Sequence, residues 1–271
     1  MRTIVLFLIL LGCGTSHITA QNDYLVTTIP NQEDPLSEEE QFIKENFPLQ
    51  LLCKWTSGMK FMFIPSGRDM FLPTLSVYET EKGADNSVLK HKILTFAGYE
   101  EKSQKLSNDM SYSTRLIFEC DGEKYYYEIK NTRPDEICEK NPRAYINGLV
   151  NLKDVDTAKD LLTGRKIYVQ SDMAQVDDAN SYSGYREVSI PVNEATITAI
   201  GVGSQAYPVK IIFQDSQGHS YYLEVALSRT NSGMDVSDFQ AEKKMRYFSN
   251  AISFSSKKSG NLETLKDKYI D

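Results

Sequence analysis

The sequence predicts an all-β fold: two tandem, diverged units, each a small partly open barrel or sandwich of about six short strands. Three observations predict it. Blocks of sequence recur in the same order in the two halves of the chain. Each half carries a glycine-bearing turn between aromatic and β-branched runs, the pattern of a hairpin. The aromatic residues are sixteen Tyr and twelve Phe against one Trp, a choice that favours strands.

The central blocks are Arg115–Glu119 and Lys210–Gln214. A turn follows each, Cys120-Asp121-Gly122 in one and Asp215-Ser216-Gln217-Gly218 in the other. Tyr125-Tyr126-Tyr127-Glu128-Ile129 then matches Tyr221-Tyr222-Leu223-Glu224-Val225. Upstream, Gly58–Phe63 parallels Gly164–Val169, and Leu94–Gly98 parallels Ile197–Gly201. Downstream, Arg143–Asn147 parallels Arg246–Asn250. Partners stand between 95 and 106 residues apart, so five blocks keep both order and spacing.

The elements follow in chain order. Residues 1–20 read as a signal peptide: Arg2 supplies the positive start, and Ile4–Leu11 form an apolar run far too short to span a bilayer. Cleavage after Ala20 is favoured over a lipobox at Leu10-Leu11-Gly12-Cys13, which would leave a lipidated Cys13 as the first residue. Either cut exports the protein to the periplasm, the outer-membrane surface or the medium. The Ala20-Gln21 ending resembles leaders common in bacteroidete secreted proteins. That resemblance covers the leader and the general build, implies an envelope protein, and carries over no activity and no site residue.

Residues 21–47 read as a polar tether and a helix. Ser37 and Glu40 form a capping box, Glu38, Glu39 and Glu40 favour the positive end of the helix dipole, and Pro48 stops the run. Residues 48–157 hold the first unit, with strands expected near 59–64, 73–79, 91–97, 114–120, 123–130 and 143–150. Residues 158–260 hold the second, with strands near 165–170, 185–190, 195–200, 208–214, 219–228 and 245–254. A helical turn leads into each unit, at Leu51-Leu52 and at Asp160–Leu162 before a left-handed stop at Gly164. Residues 261–271 form a tail. Strand number and length make the Src-homology-3-like barrel the first analogy.

The formal net charge of −7 becomes −8 when Arg2 leaves with the leader. Nucleic-acid binding needs a basic face, so it is excluded, and a lipid anchor would be the one contact with a membrane. Three cysteines follow the leader. Cys53, Cys120 and Cys138 are expected as buried thiols, with a Cys120–Cys138 bridge as the alternative. His91 and His219 lack cysteine or carboxylate neighbours at zinc-ligand spacing. Gly201-Val202-Gly203-Ser204 lacks the second glycine of a nucleophile elbow and the lysine of a phosphate loop. The run from Asp154 places Lys159 where a calcium loop needs glycine, and Asp156 is expected as a helix cap or loop residue. Asp172, Asp177 and Asp178 leave an irregular calcium site open. No cofactor is called for.

The tyrosine strips are the best candidate surface. Alternation points Tyr125 and Tyr127 one way and Tyr126 the other, so at least one tyrosine of each strip is expected to be exposed or interfacial. Tyr125, Tyr126, Tyr127 and Glu128, with Tyr221, Tyr222 and Glu224, are the expected ligand-binding residues. The expectation is a non-enzymatic binding or assembly module of the envelope, taking a protein or glycan through a sheet face or the groove between units. A polysaccharide or peptide hydrolase using His91, Glu128, Glu224 or a cysteine is one alternative. A structural lipoprotein of an outer-membrane complex is the other.

Overall fold

Antiparallel strands dominate, as the aromatic and β-branched runs require. The computed structural model describes residues 36–65, 72–106, 109–171, 173–181, 184–190, 194–204, 206–227 and 247–256. The signal peptide, Cys13, the tether to residue 35, Asp172 and the tail 261–271 lie outside the described residues.

The first sheet contains β1 (Lys60–Phe63), β2 (Ser76–Val77), β3 (Ile93–Leu106), β4 (Asp109–Cys120), β5 (Glu123–Lys130) and β6 (Leu149–Asn151). The second contains β7 (Lys166–Val169), β8 (Met173–Asp177), β9 (Tyr185–Ser189), β10 (Glu194–Val202), β11 (Val209–Asp215), β12 (Ser220–Val225) and β13 (Ile252–Ser253). Their strand orders are β6-β1-β3-β4-β5-β2 and β13-β7-β10-β11-β12-β8-β9.

Registers agree as well as order. Phe61 faces Leu94 and Ile167 faces Ala195. Phe96 faces Phe118, which faces Tyr125; Ile197 faces Phe213, which faces Tyr221. The register shifts just after Phe96 in β3 and just after Ile197 in β10. Gly58 and Gly164 both have positive φ, 92° and 82°. Each donates its N–H to the strand beyond, at 2.8 Å to Phe96 O and 2.8 Å to Ile197 O. This pairing sets Phe96 against Ile197, two residues away from the match made on sequence. A slip of two keeps every side chain on its face, so hydrophobic pattern is blind to it.

Each sheet lays its inner face on its own apolar cluster. Leu52, Trp55, Phe61, Phe96, Phe118 and Ile137 lie in the first. Ile167, Ile197, Ile211, Phe213, Leu223 and Phe248 lie in the second. The second cluster also recruits helix α1 (Glu38–Asn46) through Ile43, and helix α4 (Leu152–Leu162) through Val155, Ala158 and Leu162. The capping box of α1 forms as expected. Buried Glu39 accepts hydrogen bonds from Ser253 Oγ at 2.9 Å and Phe254 N at 2.6 Å, tying α1 to β13.

Several expectations are corrected. Cys53 and Cys138 are bonded to each other, with Cα atoms 5.3 Å apart, and Cys120 is the buried free thiol. Cys138 sits on helix α3 (Ile137–Lys140), which packs on the 3₁₀ turn carrying Cys53, whereas Cys120 ends β4 beside the hairpin turn. The lead-in at Asp160–Leu162 is the end of an eleven-residue helix capped by Asn151, so Asp156 lies within it rather than at its cap. β8 was not expected at all. The strand expected over 143–150 shrinks to β6, and much of that over 245–254 is helix α5 (Phe248–Ala251).

Candidate functional site

The outer face of the first sheet carries a polar cluster built by strand alternation. In register, Ser113 faces Lys130, Arg115 faces Glu128 and Ile117 faces Tyr126 across β4 and β5. On the other side of β4, Lys102 faces Ser113 and Glu100 faces Arg115. All of these side chains therefore share the face opposite the core.

Arg115 organises the cluster. It is 4% exposed, and its guanidinium lies over the Tyr126 ring at 4.1 Å and 6.0 Å from the Tyr78 ring. Its Nη2 donates to Glu81 Oε1 at 2.7 Å. Its Nε is buried with no hydrogen-bond partner. Lys102 Nζ donates to both Glu81 oxygens, at 2.8 and 3.0 Å. Held first by Lys102 and then by Arg115, the Glu81 carboxyl falls from its ordinary range to about 2. Ser113 Oγ donates to Glu128 Oε1 at 2.8 Å. Above the cluster lies an open cavity of about 470 Å³, its walls carrying the charged groups Glu81, Lys102, Arg115, Glu128 and Lys130 beside Tyr126, with Gln104, Ser111 and Asn131 among them.

The second sheet places the same residue classes at the same stations. Lys210 faces Glu224, and its Nζ lies over the Tyr222 ring at 3.6 Å. Asp177 at the end of β8 stands 3.5 Å from Lys210 Nζ, as Glu81 stands beside Arg115. Burial, and then the charges of Asp177 and Glu224, push the Tyr222 hydroxyl up to about 12. Gln175 faces Tyr222 across the ladder, and its Oε1 is a second buried polar atom with no partner. Ser204 N donates to Glu224 Oε2 at 3.2 Å.

The expected residues divide by face. Tyr125 and Tyr127 pack on the first core, and Tyr125 donates to Glu123 at 2.5 Å. Tyr221 stacks on Phe213 at 5.9 Å between centroids and packs on the second core. Tyr126 and Tyr222 take the outer face but are only 6% and 7% exposed. Neither outer ring is thus exposed: a cation lies over each, with β2 paired beside Tyr126 and β8 beside Tyr222. Glu128 and Glu224 are half-buried in separate sheets. His91 is an exposed residue before β3 with φ of 62°. His219 Nδ1 lies 3.1 Å from Asp215, within the hairpin turn. Among the described residues, no three His, Cys, Asp or Glu side chains are arranged to hold a metal ion. No helix among them is long and apolar enough to cross a membrane.

Arg115, Lys210, Glu81 and Lys102 were missed as site residues. The sequence carries a signal for the first two, because a cation heads both central blocks, and each sits cross-strand from an expected glutamate, Glu128 or Glu224. Nothing in sequence spacing brings Glu81 to Arg115. Neither the protein-family models, nor the curated proteins, nor the solved structures contain a match to this chain.

Proposed function

We propose that this protein is an exported, non-enzymatic binding module of the cell envelope that recognises a glycan through the outer face of its first sheet. The observation that carries the reading is Arg115: a buried cation with an unpartnered Nε, floored by Tyr126, beneath a cavity of about 470 Å³. A buried polar atom without a partner calls for an explanation, and a polar ligand is one. The lining is hydroxyl, amide and charged rather than aliphatic, which suits a hydroxyl-rich ligand better than an apolar peptide. The groove between the sheets favours this less: the crevice beside Trp55, Phe61, Leu149, Asp154 and Pro208 holds about 30 Å³, room for about one water.

Two further parts of the reading have separate support. Export rests on the leader and on the Cys53–Cys138 disulfide, a bond that persists in oxidising compartments. Descent of both sheets from one duplicated unit rests on matched strand order, matched register and matched outer-face residues. Strand number alone ties each unit to the Src-homology-3-like class, so strand order is the better description. The hydrolase alternative draws on His91, Glu128, Glu224 or a cysteine meeting in one cleft; Glu128 and Glu224 belong to different sheets, and Cys53 and Cys138 are bonded to each other, which favours it less.

The test is titration of the full exported chain with neutral and acidic oligosaccharides, read by ¹⁵N chemical shifts. Binding that moves the amides of Ser113–Ile117 and Tyr126–Lys130, and weakens about tenfold in Arg115→Met, supports the reading. Saccharides that bind neither protein, or both equally, overturn it.

A further inference from the structure

Resting on that reading, we infer that the site takes a carboxylate-bearing sugar, such as a uronic acid residue, and that Glu81 is a built-in stand-in for the sugar's carboxylate. The argument begins with what Arg115 lacks. Its guanidinium is buried over Tyr126, one of its nitrogens has no acceptor, and the single carboxylate it binds comes from the side chain of a turn.

Glu81 is an unusual residue to find there. It lies in the turn after β2 with φ of 56°, a left-handed conformation that a non-glycine side chain rarely adopts. Its backbone is pinned, with Glu81 N donating to Val77 O at 2.9 Å and Val77 N donating to Lys82 O at 2.8 Å. Yet its side chain is 52% exposed, while that of the arginine it meets is 5% exposed. A half-exposed carboxylate has water beside it to swing into once its contacts to Lys102 and Arg115 are replaced, and a buried guanidinium does not. The cation is the fixed half of the pair and the acid is the exchangeable half.

The charges near the cavity agree. With Glu81 in place, Lys102, Arg115 and Lys130 face Glu81 and Glu128. With Glu81 swung out, the cavity lining holds three cations against one carboxylate, while Glu100 beside it accepts from the Tyr78 hydroxyl at 2.7 Å, on a chain whose net charge is −7. Two of those cations already converge on one carboxylate, Lys102 on both oxygens and Arg115 on one. Around that point, Ser111, Gln104 and Asn131 offer donors and acceptors for hydroxyl groups, and Glu128 is held ready as an acceptor by Ser113. The exchange breaks the Glu81–Lys102 and Glu81–Arg115 contacts and makes the same contacts to the sugar acid.

The test uses the full exported chain with trigalacturonate as the acidic probe and its neutral galactose trimer as control. Glu81→Gln removes the competing charge; Glu81→Gly removes the side chain and also suits the left-handed backbone, so a folding defect in the first is bypassed by the second. Both variants are expected to bind trigalacturonate about tenfold more tightly than the wild type, with the neutral trimer unchanged. Unchanged or weaker binding of the acid, or an equal gain for the neutral trimer, overturns the inference. If the wild type binds and the variants gain nothing, the stand-in role alone fails. If neither sugar shifts the outer-face amides in any of the three proteins, the binding face itself fails with it.

Discussion

The two sheets share one order over six strands, with β9 added at the edge of the second, and one outer-face pattern, yet they are finished differently. In the first, a disulfide clasps Cys53 to Cys138 and a buried arginine underlies an open cavity. In the second, a lysine replaces the arginine, the side chain of Lys210 is 24% exposed, and α1 and α4 pack on the core instead of a covalent clasp. Lysine is a compact point charge that satisfies itself on a ring and one acid, while arginine presents more donors than Glu81 can fill. One backbone plan therefore carries a lysine settled on a ring and one acid in one sheet, and in the other a buried arginine with a nitrogen unfilled, which is the face proposed to bind.

That comparison is most severely broken by removing the clasp. Cysteines 85 residues apart close a long loop, and in the chain-entropy account such a bond contributes about 4–5 kcal/mol. Cys53→Ser is expected to lower unfolding stability by that order, measured by urea denaturation, and reductant is expected to do the same to the wild type alone.

The joint between the sheets gives the next effect. Burial pushes the Asp154 carboxyl up to about 6, from 3.8 when unfolded. The folded state thus favours the neutral acid. Its contribution is complete below about pH 4 and is lost as pH rises through 6. Asp154→Asn is expected to abolish that loss, so the variant gains roughly 1–3 kcal/mol over wild type at pH 7 and little at pH 4.

The hairpins sharpen the comparison at smaller scale. Asp121 and Gly122 have φ of 52° and 84°, and the first turn has only these two residues to close it. A side chain built at Gly122 meets nothing within 4 Å, so Gly122→Val acts through backbone strain alone, at about 1–2 kcal/mol. The second turn is tied by Asp215, which accepts from Gln217 N and His219 N at 2.8 Å each. Asp215→Ala is expected to loosen that turn and leave the first unchanged, read by hydrogen exchange of the two hairpins. The intact mass of protein from an exporting host is expected to begin at Gln21; a lipid on Cys13 would redirect the export reading to an anchored form.

Much of the strand pattern was legible because it rests on local signals. Asp121-Gly122 fixes one hairpin, Gly218 ends the turn of the other, and period-two alternation separates Tyr126 from Tyr125 and Tyr127. The Cys53–Cys138 pair was not legible, since both residues lie in short helical turns whose meeting is tertiary. β8 was missed because Met173–Asp177 mixes small, polar and acidic residues without clear alternation. The site was half legible: alternation and recurrence point to Tyr126, Glu128, Tyr222 and Glu224, but the decisive partner of Arg115 arrives from a turn 34 residues earlier in the chain. The cover over the outer tyrosines was not legible, because sequence gives no sign of which cation will lie over a ring.

The most direct measurement is the ¹H–¹⁵N signal of Arg115 Nε, followed while trigalacturonate is added to the wild-type chain. A polar ligand seated over this face is predicted to shift that resonance together with the amides of β4 and β5. Saturable binding that leaves the Arg115 Nε signal unmoved would contradict it.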